Sequence, residues 1–131
     1  MLENPESYVI TVDDDIYYPE NLVENLMNTS SKYPDTVVCT WGHVISPDES
    51  GDVYSADKWV YSHKGTKPSF RLIPTGVGGV LYPPHCLDNE VSNKDSIKSL
   101  CINADDLWLK AMALKNHKKA VRVDMPAKVY F

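Results

Sequence analysis

Disulfide and zinc chemistry have little to work with in this 131-residue chain. Its three cysteines, Cys39, Cys86 and Cys101, are odd in number and never occur as CxxC. That pattern points to free, buried thiols in a reducing compartment, not to a disulfide framework or a tetrahedral metal site. No apolar run approaches membrane-spanning length, and the opening MLENPES carries neither a basic nor an apolar leader pattern. The expectation is a cytoplasmic protein with no direct membrane span, in which the sequon Asn28-Thr29-Ser30 carries no weight. His43, His63, His85 and His117 show no paired spacing such as HxxxH, and Lys64-Gly65-Thr66 reverses the order of a phosphate loop. Internal repeats, low-complexity tracts and a heptad seam are also missing. A net charge of −5 argues against a protein built to hold nucleic acid or an anionic membrane.

What is present is the composition of one ordinary globular domain, 43% hydrophobic and 24% charged. The charge is uneven: acids dominate the first half, while Lys110, Lys115, Lys118, Lys119, Arg122 and Lys128 crowd the last quarter. The sharpest feature is Tyr8–Tyr18, YVITVDDDIYY. A β-branched run with little alternation reads as a strand covered on both faces, and it stops at Asp13, Asp14 and Asp15. Strands of α/β proteins deliver ligand-binding groups at such an end. Three adjacent carboxylates repel one another unless something positive neutralises them. Oxygen ligands of this kind suit a hard divalent cation such as Mg²⁺, Mn²⁺ or Ca²⁺.

Pro19 opens a predicted helix whose stripe is Leu22, Val23, Leu26 and Met27, and Pro34 excludes its continuation past Tyr33. Thr36–Ile45 reads as a second strand, so that strand, helix and strand form a βαβ-like unit with parallel strands. Residues 46–58 read as a polar surface loop, and 58–63 as either a short strand or a helical turn. Ser69–Pro74 and Gly76–Tyr82 read as extended segments interrupted by glycine, followed by a short helix from Pro83-Pro84 to Asp88. Asn103–His117 is the clearest helix, with stripes Leu107, Ala111, Leu114 and Trp108, Met112. Asn103 caps it, and Asp105 and Asp106 occupy its positive first turn. Terminal strands follow at Ala120–Asp124 and Ala127–Phe131. The three tryptophans, Trp41, Trp59 and Trp108, read as core.

Each chemical reading has a plain structural counterpart. Asp13 and Asp15 converge on one face of an extended chain, or Asp14 joins Asp15 if the backbone turns at once. The bland alternative is a solvated loop stabilised by the dipole of the helix that follows. An EF-hand does not fit, because Tyr17 and Tyr18 stand at the fifth and sixth loop positions and only Glu24 matches. Asp105-Asp106 is either a routine helix-start stabiliser or a general base facing the ligand edge of the sheet. Gly76-Val77-Gly78-Gly79 lacks the last glycine of a dinucleotide fingerprint. It is either a bulge or a place where backbone approaches a sugar or phosphate closely.

Taken together, TVDDDIYYPENLVENL (Thr11–Leu26), PTGVGGVLYPP (Pro74–Pro84) and NADDLWLKAMALKN (Asn103–Asn116) resemble nucleotide-sugar glycosyltransferases of the GT-A fold. The resemblance is to bacterial family-2-like and capsular-polysaccharide-type enzymes, and it covers most of the chain. It implies an α/β, three-layer, partial GT-A-like fold with a mixed, mostly parallel sheet. It implies Mn²⁺ or Mg²⁺ held by Asp13, Asp14 and Asp15, with Asp15 ahead of Asp14 as ligand. Asp106, with Asp105 beside it, would be the base of an inverting transfer, and Asp13, Gly78 and Gly79 would lie at donor and acceptor. The implied partners are a nucleoside-diphosphate sugar and a glycan acceptor in polysaccharide biosynthesis. Such enzymes carry a nucleoside-binding βαβ half ahead of the acidic strand, where this sequence has seven residues. Residues 1–131 are therefore expected to be one domain from a larger catalytic domain, with a sheet edge open to self-association. Two other readings remain: a dehalogenase-type metal-dependent phosphatase, although Ile16-Tyr17-Tyr18 departs from its motif, and a non-catalytic fragment that folds without binding donor.

Overall fold

The computed structural model describes residues 6–45, 60–61, 67–93 and 105–123. Elements follow in the order β1 (Val9–Thr11), α1 (Leu22–Lys32), β2 (Val37–Cys39), β3 (Gly42–Val44), β4 (Val60–Tyr61), β5 (Leu72–Pro74), β6 (Val80–Tyr82), α2 (Asp105–Lys115) and β7 (Ala120–Arg122). Single 3₁₀ turns occupy Gly76–Gly78 and Asn89–Ser92. The predicted strand-like runs at 58–63 and 69–74 thus contain β4 and β5. The predicted surface loop from 46 and the last strand, Ala127–Phe131, lie outside the described residues, as do Asn103, Trp59, His63 and Cys101.

The main sheet has the order β1-β6-β2-β7. Alternation along its strands makes three layers. Val37, Cys39, Val80, Tyr82 and Ala120 face one way, toward Ala113 of α2. Val38, Leu81 and Val121 face the other way, toward Leu22 and Leu26 of α1. Two-residue periodicity in the strands therefore meets i, i+4 periodicity in the helix. Leu26 is fully buried, and burying such a side chain contributes about 1.5–3 kcal/mol.

Several expectations are corrected here. Among the described residues the sheet is mixed but not mostly parallel: β6 runs antiparallel to both β1 and β2, and only β2 and β7 pair in parallel. Strands β1 and β2 share a direction, as the βαβ reading requires, but β6 lies between them. β1 is accordingly an edge strand among the described residues, with each face only partly covered. Its three residues are half-buried, while Tyr8 and Val12 are exposed.

The predicted strand Thr36–Ile45 is two strands in two sheets, because Thr40-Trp41 breaks it. β3 joins a separate antiparallel sheet of order β4-β3-β5. Gly42 permits that crossing, since a Cβ there would sit 2.9 Å from Leu72 Cδ1. Gly76–Gly78 closes a turn instead of extending, and the helix expected at Pro83–Asp88 gives way to the Asn89–Ser92 turn. On α2 the Trp108, Met112 stripe is buried, whereas Leu107 and Leu114 of the other stripe face outward. Ala113 and Lys110 complete the inner face instead.

Candidate functional site

The acidic triplet follows β1 directly, and Asp13, Asp14 and Asp15 are all exposed. One main-chain hydrogen bond fixes the start of this loop: the Asp13 N–H donates to the Tyr18 hydroxyl at 2.8 Å. That hydroxyl in turn donates to the carbonyl of Val77 at 2.8 Å, in the middle of the glycine turn. The Tyr18 ring packs against the core beneath α1. An apolar ring with a polar tip thus spans from the interior to the acidic loop, as tyrosine does when its hydroxyl finds partners.

The glycine turn is held from three sides. Thr40 Oγ1 donates to the Gly78 carbonyl. The Gly76 N–H donates to both carboxylate oxygens of Asp106, each at 3.2 Å. Within the turn, Gly79 N–H donates to the Gly76 carbonyl at 3.1 Å. At Gly76 a Cβ would stand 2.8 Å from Asp106 Oδ1, so any side chain there would displace that carboxylate. Glycine is required by conformation at Gly79, whose φ is 93°. Gly78 and Gly79 are buried, and the space beside their α-carbons is filled by Thr40, Trp41 and Leu22.

Three segments far apart in sequence therefore meet at one turn. Asp13 is linked through Tyr18 to Val77, and the neighbouring Gly76 is linked to Asp106. Asp105 opens α2 immediately before it. Besides standing in the first turn of α2, Asp106 reaches with its carboxylate to a loop 30 residues away.

Three site residues were absent from the sequence reading. Tyr18 carried no signal beyond being aromatic after an acidic run. Thr40 sat inside what looked like a continuous strand. Lys110 was counted among the basic residues of the last quarter, yet it lies at i+4 from Asp106, with Ala113 at i+7, so the three share one helix face. Lys110 is only 5% exposed, and among the described residues its Nζ has no hydrogen-bond partner. Burial lowers its ammonium to about 8, against the opposing pull of Cys39. Burial pushes the Cys39 thiol up to about 12, against the fields of Arg122 and Lys110, and raises Cys86 to about 12 as well. Tyr82 is raised by burial and then by the nearby Asp106 carboxylate. Cys39 and Cys86 are free and buried, as expected from their spacing.

Among the described residues, no group of three or more His, Cys, Asp or Glu side chains is placed so that it could hold a metal ion, the Asp13, Asp14 and Asp15 triplet included. No helix among them is long and apolar enough to cross a membrane. Mg²⁺-type cations commonly use one or two carboxylates and leave their remaining positions to substrate phosphates and water. An exposed loop of three carboxylates, with its first backbone amide fixed, has the donor chemistry for that arrangement. No protein-family model matches the chain, and no curated protein matches it.

Proposed function

We propose that this chain carries the acidic site of a metal-dependent glycosyltransferase. It would transfer a sugar from a nucleoside-diphosphate donor to a hydroxyl acceptor, with inversion. The observation that carries the reading is the joining of the acidic loop, the glycine turn and Asp106 through Tyr18 and Gly76. Sequence segments that resemble one family's donor-site motifs would not meet at one turn by composition alone.

In this reading Asp15, Asp14 and Asp13 would hold Mn²⁺ or Mg²⁺, which supplies positive charge opposite the diphosphate leaving group. Asp13 also anchors the loop through its backbone amide. Asp106 accepts the proton of the acceptor hydroxyl at a carboxylate oxygen, and the Gly76 N–H orients that carboxylate. Gly78 and Gly79 shape the turn from within, since both are buried. The test is calorimetry with Mn²⁺ and a panel of nucleoside-diphosphate sugars, alongside donor turnover in Asp15→Ala and Asp106→Ala. Metal-dependent nucleotide binding that disappears in Asp15→Ala is the expected result. Unchanged turnover in both variants would sink the assignment.

One observation favours a second reading, a unit that self-associates without binding donor. β1 is hydrogen-bonded along one side only among the described residues, and Tyr8 and Val12 beside it are exposed. An edge of this kind is a template for another strand. Dimerisation without any Mn²⁺-dependent nucleotide binding would select this reading.

A further inference from the structure

α2 departs from the pattern of a surface helix, which turns an apolar stripe to the core and a charged face to water. Between Asp106 and Lys115 its only charged residue is Lys110, and that side chain is buried. Trp108, Met112 and Ala113 are buried as well. The outward stripe is Leu107, Ala111 and Leu114, spaced one turn apart, with Leu107 41% and Leu114 38% exposed. No charge lies on it.

The stripe ends in cations. From Leu107 to Val123 the chain contains no acid, and Leu114 is followed by Lys115, His117, Lys118 and Lys119. The bridge between Ser69 and Ala120 brings Phe70 and Arg71 to the same turn. Lys119 stands over the Phe70 ring, 5.2 Å from its centroid, and that ring is 44% exposed. Among the described residues, acids at this end are fewer. Asp88 is paired with Lys115 at 3.4 Å, and Asp35 precedes the strand whose Val37 N–H donates to the Lys119 carbonyl. Arg71, Lys118 and Lys119 leave the balance there positive, although the whole chain carries −5.

Charge separates this face from the others that expose apolar side chains. On α1, Val23 is 55% exposed, but the exposed Glu20 and Glu24 flank it. Tyr8 and Val12 lead into the exposed Asp13, Asp14 and Asp15. Size argues against a second copy as the occupant. A stable interface takes about 800 Å² and roughly 20–30 residues from each partner, against the short stripe of Leu107, Ala111 and Leu114. Apolar side chains beside lysine and arginine suit the headgroup boundary of an anionic bilayer.

We propose that the outward face of α2, with Phe70 and the cations at its end, rests on an anionic membrane surface without crossing it. Leu107, Leu114 and Phe70 enter the headgroup boundary, while Arg71, Lys118 and Lys119 meet lipid phosphates. The contact needs no divalent cation and does not depend on the glycosyltransferase reading.

The experiment is sedimentation of the whole chain with vesicles of phosphatidylcholine mixed with phosphatidylglycerol, and with vesicles of phosphatidylcholine alone. A chelator is present, so that no cation bridges Asp13, Asp14 and Asp15 to lipid. Binding is expected to the anionic vesicles only, and it should weaken as sodium chloride is raised. Lys118→Ser/Lys119→Ser should lower the partition coefficient about ten- to thirtyfold. Leu107→Ser/Leu114→Ser should lower it about tenfold, with circular dichroism showing that the helix is kept. Val23→Ser, on the acid-flanked face of α1, should bind as the parent does. Equal binding to both kinds of vesicle overturns the proposal, as does binding to neither. So does anionic binding that both double variants leave unchanged. A dimer in gel filtration that Leu107→Ser/Leu114→Ser dissolves, without vesicle binding, assigns the face to a second copy and overturns it too.

Discussion

The hydroxyl of Tyr18 donates to the carbonyl of Val77 across 59 residues of sequence. Because the same oxygen accepts the Asp13 N–H, one side chain couples the acidic loop to the glycine turn. Tyr18→Phe keeps the ring and removes both bonds. The expected cost is about 1–2 kcal/mol of stability, read from the urea midpoint. Mn²⁺ affinity should fall too, since the loop loses its anchor. A variant that matches the parent in both measurements would show that Tyr18 is only a packing residue.

Asp106→Asn separates structure from chemistry. The amide oxygen still accepts from Gly76, so stability should change by less than about 1 kcal/mol. An amide takes no proton, however, and donor transfer should drop by about 10²- to 10⁴-fold. Transfer at the parental rate would remove Asp106 from the mechanism.

Two glycine variants should fail differently. Gly79→Ala meets a positive φ and Leu22 Cδ1 at 3.2 Å, so it should destabilise the fold by about 1–3 kcal/mol. Gly76→Ala pushes against a carboxylate oxygen at 2.8 Å, the end of a side chain that can swing away. It should lower transfer far more than it lowers Tm. Equal effects of the two variants on Tm and on transfer would contradict this division.

Stability should rise between pH 8 and 9. Lys110 titrates near 8 when folded and at its ordinary 10.5 when unfolded, so between those values the unfolded chain binds the extra proton. Stability then increases with pH, and it is lost as pH falls toward 8. Cys39 and Cys86 act the other way. Their folded thiols hold protons to about 12, whereas unfolded thiols release them near 9, so stability declines above that point. Urea midpoints at half-unit steps from pH 7 to 10.5 should show a rise and then a fall. Lys110→Met should keep only the fall; a rise that persists in it would assign the effect elsewhere.

Local pattern carried much of this fold. β-branched runs marked β1 and β2, Pro19 and Pro34 bracketed α1, and Asp105 to Lys115 fell inside the expected helix. The order of strands was not legible, because the choice between β2 and β6 as the neighbour of β1 depends on contacts 70 residues apart. Thr40-Trp41 looked like strand because both residues suit one, and only Gly42 hinted at the crossing. At the site, the acids and glycines stood out by residue type. Tyr18 and Lys110 did not, since an aromatic and a lysine become informative only when burial and partners are known. The family resemblance supplied an expectation for the acids but no hint of Lys110.

The position of β6 has a consequence for how the chain becomes this structure. Synthesis delivers β1 and β2 with their intervening helix some 40 residues before Val80–Tyr82. β6 pairs with both of them, and its contacts with β1 close a loop of about 70 residues, which is slow relative to local steps. The glycine turn precedes β6 directly, so Asp13 and Asp106 reach their common anchor only once the last of these strands has gone in. The candidate site joins Asp13, the glycine turn and Asp106, so it forms only after long-range closure, and on the proposed reading refolding should recover helix signal before Mn²⁺ binding.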